Sequence, residues 1–180
     1  MLKHYVVLAT TVTLLSFTGG SLSAQQSQEG YPLQSDSLVL ARVEGSNTFL
    51  AHSTRVGKWN SHSFPEGVSA APVVAHGACA FDLQGDAITE VVAVDQNGNW
   101  CSSRLPAAVK KCSPVVGDGV AAVFVDGKAY AFSAKLGKWD SVAAPVEPQI
   151  SKDMVMIVAP GFIAVFSAAT GTWAVAETTK

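Results

Sequence analysis

Four times in this chain a glycine, one further residue and a tryptophan follow in order: Gly57-Lys58-Trp59, Gly98-Asn99-Trp100, Gly137-Lys138-Trp139 and Gly171-Thr172-Trp173. These are all of its tryptophans, and the intervals between them are 41, 39 and 34 residues. A fixed word returning at such a period marks an internal repeat. It restricts the fold to architectures in which similar units stack on one another. Alignment on tryptophan extends the word. Leu50-Ala51-His52-Ser53, Tyr130-Ala131-Phe132-Ser133 and Ala164-Val165-Phe166-Ser167 share one offset to it, and Val92-Ala93-Val94-Asp95 fits with a turn one residue shorter. Each copy also carries an upstream proline, at Pro32, Pro72, Pro114 and Pro148. The copies occupy approximately residues 31–66, 67–107, 108–146 and 147–180, filling a single domain over 31–180. The second copy alone carries an insertion, at 83–89, which reads as a loop and a first choice for a contact.

Each copy reads as strands. In copy three, Val120-Ala121-Ala122-Val123-Phe124-Val125 ends at Asp126-Gly127, a strong hairpin signal. Lys128-Ala129-Tyr130-Ala131-Phe132-Ser133 follows, with large apolar residues at alternate positions. A turn ending in Gly137-Lys138 then leads into the strand opened by Trp139. No stretch after the N-terminus carries a 3.6-residue period, and the charged fraction is only 14%. The class is all-β. Four short strands in about forty residues make a propeller blade, so four copies predict a four-bladed β-propeller or an open blade array. A β-sandwich of paired hairpins is the alternative.

The Tyr130-Ala131-Phe132-Ser133…Gly137-Lys138-Trp139 hairpin resembles the repeats of kelch and quinoprotein-type β-propellers. The resemblance implies a blade for each copy. Gly117-Asp118-Gly119 stands loosely where kelch blades carry a glycine pair, and the tryptophan-docking motifs of quinoproteins are incomplete, so no cofactor is implied.

The first 24 residues have a different character. Lys3 and His4 precede an apolar stretch, and Leu22-Ser23-Ala24 closes a small-residue segment. This is the order of a secretory signal peptide over 1–24, and it predicts a secreted or periplasmic protein. No later apolar run is long enough to insert into a membrane. A formal net charge of −2 gives no electrostatic footprint for nucleic acid.

Export favours disulfides. Cys101 and Cys112 flank the junction of copies two and three and are the expected pair, while Cys79, in an apolar strand, is expected as a buried thiol. No catalytic motif stands out. His52, His62 and His76 lack metal-ligand spacing, and Asp95-Gln96-Asn97-Gly98-Asn99 reads as a hairpin turn rather than a calcium loop. Arg55 and Lys58 in copy one recur as Lys135 and Lys138 in copy three, a possible contact with an acidic partner. Gly57, Gly98, Gly137 and Gly171 should hold turns, and the four tryptophans should be equivalent inter-blade anchors.

The expected function is therefore an exported, non-catalytic interaction module for a protein or polysaccharide ligand, with neither metal nor cofactor. Two alternatives stand beside it. One is a homodimer in which two four-blade chains complete an eight-blade ring. The other is an enzyme whose site spans several blades, signalled by polar or acidic residues converging at one channel mouth.

Overall fold

A computed structural model of the protein describes residues 25–26 and 32–177, and among these every regular element is a β-strand. The leader expected at 1–24 lies outside the described residues. Four antiparallel sheets follow one another along the chain. The first holds β2 (Leu33–Gln34), β3 (Leu38–Arg42), β4 (Thr48–Ser53) and β5 (Lys58–Ser63). The second holds β6 (Ser69–Ala75), β7 (Ala78–Val94) and β8 (Trp100–Cys112), with β1 (Gln25–Gln26) added beside β6. The third holds β9 (Pro114–Gly117), β10 (Val120–Val125), β11 (Lys128–Ser133) and β12 (Lys138–Ala143). The fourth holds β13 (Gln149–Ser151), β14 (Met154–Ala159), β15 (Phe162–Ser167) and β16 (Trp173–Glu177). We call these sheets blades 1 to 4.

Local chemistry sets the hairpins. Asp126 and Gly127 both take positive φ (49° and 69°), as a two-residue turn matched to strand twist requires. The glycines before the tryptophans lie at φ 69°, 79°, 61° and 62°, where a Cβ would be strained. Each then releases the chain into a strand whose tryptophan pairs with the same column of its neighbour: Trp59 with His52, Trp100 with Val94, Trp139 with Phe132 and Trp173 with Phe166.

Strand alternation gives every blade two faces, one toward the preceding blade and one toward the following blade. Leu38, Leu40 and Phe49 of blade 1 pack with Cys79, Phe81 and Leu83 of blade 2. Phe49 meets Phe81 edge-on at 5.2 Å. Ala78, Ala80 and Ala93 of blade 2 meet Ala121 and Phe132 of blade 3. Val120, Ala122 and Ala131 of blade 3 meet Val155 and Phe166 of blade 4. In the two later seams alanines of one blade lie against an aromatic ring of the next, Phe132 and Phe166. Among the described residues, no hydrophobic cluster joins blade 1 to blade 4, and Trp59 on the outer face of the first and Val158 on that of the last are exposed, so the described blades form an open arc.

Three expectations change. Residues 83–89 are not a loop: they lie within β7, and Leu83, Gln84 and Ile88 pair with Cys112, Lys111 and Val109 of β8. The insertion lengthens the hairpin ladder, and Leu83 and Ile88 are buried. The Cys101–Cys112 bridge is not formed, and Cys79, Cys101 and Cys112 are free thiols. Cys101 and Cys112 sit at opposite ends of β8, opposite Ala93 and Leu83. Finally, the tryptophans are not equivalent. Trp100, Trp139 and Trp173 are partly buried against the core, whereas Trp59 is 54% exposed.

Candidate functional site

Two sets of hydrogen bonds hold the arc together, and both repeat from blade to blade. The Trp100 indole donates to the Asn60 carbonyl (3.3 Å), Trp139 to Cys101 (3.1 Å) and Trp173 to Asp140 (3.3 Å). Every acceptor is the residue just after the preceding blade's tryptophan. Running the other way, the Ser53 hydroxyl donates to the Gln96 carbonyl (2.7 Å) and Ser133 to Ala168 (2.6 Å). Copy two has Asp95 in the serine column, which has no hydroxyl to donate. There the Gln96 amide reaches the Ala134 carbonyl instead (2.9 Å). Asp95 is buried, and its carboxylate accepts from the Asn97 and Asn99 amides and the Asn99 side chain (2.8–2.9 Å), closing the hairpin turn.

These contacts bring two kinds of turn from each blade to one end of the arc. The Gly119 amide donates to the His76 carbonyl (2.7 Å) and the Asp118 amide to the Lys152 carbonyl (2.9 Å), locking the turns of blades 2, 3 and 4 together. Between them lies a cavity of about 610 Å³. All four blades line it: Asp36 and Arg55 come from the first, His76 and Gln96 from the second, Asp118 and Lys135 from the third, and Asp153 from the fourth. His76 Nδ1 lies 3.3 Å from Asp36 Oδ1, and the Arg55 guanidinium donates to Gln96 Oε1 at 2.7 Å. Both charge signs, Asp36, Asp118 and Asp153 with Arg55 and Lys135, therefore meet around one mouth.

The basic pairs divide at this point. Arg55 and Lys135 line the mouth, while Lys58 and Lys138 open β5 and β12 as exposed residues away from it. The acids Asp36, Asp118 and Asp153 were not singled out as a group from the sequence. A signal was present for three lining residues: four positions after the prolines of the first three copies stand Asp36, His76 and Asp118, whereas Asp153 stands five after Pro148. Among the described residues no group of three or more His, Cys, Asp or Glu side chains is placed to hold a metal ion.

Other titratable groups lie in the seams. His62 stacks on Trp100 at 4.9 Å and 22°, with Phe64 edge-on at 4.7 Å. Burial lowers its pKa, against a weaker opposing pull from Glu90. Burial pushes the Cys101 thiol up to about 11, with the Asp95 carboxylate adding to the shift. Cys112 is also pushed up to about 11 by burial, then by Asp82 and Asp126, and burial raises Cys79 as well. Thiols so disfavoured as thiolates are poor nucleophiles.

No protein-family model and no curated protein matches the chain. Among solved structures, HIRA(644-1017) is similar with a TM-score of 0.38 and 10% identity, over 86% of this chain and 57% of that one. Hsv2 of Kluyveromyces lactis is similar with a TM-score of 0.27 and 15% identity, over 78% of this chain and 59% of that one. The chain thus spans under two thirds of either. The blades, registers and seams described above are what define the fold.

Proposed function

We propose that the protein is an exported, non-catalytic binding module that engages a protein or polysaccharide ligand at the four-blade mouth. The observation that carries this reading is the convergence of Asp36, Arg55, His76, Asp118, Lys135 and Asp153 around one cavity of about 610 Å³. Acidic and basic side chains on interlocked turns suit a polar ligand, and a preformed site reduces the cost of ordering on binding. The leader-like order of residues 1–24 supports export. The resemblance of the Gly-x-Trp hairpin to kelch-type repeats supports a scaffold that offers its turns to a partner.

The test is a pull-down from the native envelope fraction, followed by titration calorimetry on the captured ligand. An Arg55→Ala/Lys135→Ala variant should bind about tenfold or more weakly, as for the loss of polar anchors at a contact centre. Unchanged affinity would place the ligand elsewhere. Turnover of the captured ligand by the wild type, abolished in Asp118→Asn or Asp153→Asn, would favour the enzyme reading instead.

A further inference from the structure

The two ends of the arc each leave one side of the inter-blade seam exposed. On blade 4, Met154 holds the register position that Leu38 holds in blade 1 and Val120 in blade 3, each opposite the serine column. Leu38 and Val120 are 0% exposed, but Met154 is 37% exposed, as is Ile163, while Val158 reaches 67%. These side chains face the direction in which a fifth blade would follow. At the other end, Trp59 lies on the face of blade 1 where a preceding blade would stand. It stacks on its own His52 at 4.9 Å, and among the described residues its indole reaches no carbonyl of another blade.

The missing partners match. Ala174 follows Trp173 as Asn60, Cys101 and Asp140 follow their tryptophans, yet among the described residues no indole reaches its carbonyl. Ser167 stands in the column of Ser53 and Ser133, and Thr54 in the column of their acceptors Gln96 and Ala168. The cross-strand sets are Met154, Met156, Val158, Ile163 and Val165 on one face and Val39, Ala41, Leu50 and His52 on the other. None of them is an Asp, Glu, Lys or Arg.

We propose that blade 1 of one copy docks against blade 4 of a second copy. Trp59 Nε1 would donate to the Ala174 carbonyl, and the Ser167 hydroxyl to the Thr54 carbonyl. The occupant is a second copy because this contact continues the seam that already joins blades within the chain, and both of its complementary ends belong to this chain. Such a head-to-tail contact closes when a two-fold axis runs along the centre of the arc. Two copies then make eight blades, within the range known for propellers. The contact is independent of the ligand read for the mouth.

Sedimentation velocity and light scattering of the protein, over a wide concentration range, should show a dimer. Trp59→Ala and Val158→Lys change exposed side chains, so each should keep the wild-type circular dichroism while weakening association about tenfold or more. An equal mixture of the two variants retains one intact contact per pair, Trp59 from one and the blade 4 face from the other, and should associate more tightly than either alone. A strictly monomeric wild type overturns the proposal. So does a variant that dimerises as tightly as the wild type, or a mixture no tighter than its components.

Discussion

Trp139 and Trp59 occupy the same column of the repeat and have opposite surroundings. The Trp139 ring lies 5.0 Å from Phe132, and its indole donates to the Cys101 carbonyl. Replacing it by alanine opens a void between blades 2 and 3, at a cost of about 3 kcal/mol. The same change at Trp59, measured by urea unfolding at low protein concentration, should cost about 0.5 kcal/mol or less. Equal losses at the two positions would contradict the one-sided docking of the indoles. His62 offers a pH-dependent case in the neighbouring seam. Its folded pKa is lowered by burial against Trp100. The unfolded chain therefore binds the proton more readily, and stability is fully present above the ordinary imidazole value of about 6.5 and lost as pH falls through it. The urea midpoint of the wild type should drop more steeply between neutral and mildly acidic pH than that of His62→Phe. Parallel curves would remove His62 as the cause.

Elements in this protein meet backbone to backbone, and Gly117 at the end of β9 shows how closely. A Cβ there would stand 2.7 Å from the Lys152 carbonyl oxygen and collide with the Ile150 side chain of β13. Gly117→Ala should therefore part blades 3 and 4 and cost about 1–3 kcal/mol, read as a lower thermal midpoint. Strand order and turns were legible in the sequence because each rests on local chemistry. Asp126-Gly127 dictates its hairpin, and the glycine before each tryptophan dictates the next. The course of 83–89 was not legible. Gln84, Gly85 and Asp86 carry turn-like composition, and only pairing with distant Cys112 and Lys111 draws them into strand. The mouth was half legible: Arg55 and Lys135 recur in register, but the three aspartates join them only through the inter-blade bonds of turns far apart in sequence.

At the scale of the whole molecule, stability in a stack of repeats is close to a sum of blade and seam contributions. A chain ending at residue 146 loses blade 4 and one seam, including the Trp173 and Ser133 bonds. It should keep the strand signature of the remaining blades in circular dichroism and unfold at a lower urea concentration. Complete loss of strand signal would show that the arc folds only as a unit. The number and order of blades could be read from a word repeated four times. The exposure of the two ends could not, because the first and last copies carry the same word as the middle ones.

The inter-blade bonds of Trp100, Trp139 and Trp173 all end on backbone oxygen, and the residues supplying it are as unlike as Asn60, Cys101 and Asp140. A seam addressed to the main chain places little demand on what its neighbour's side chains are. Each copy is thus free to drift in sequence, or to be duplicated or deleted whole, with its neighbours still able to recognise it.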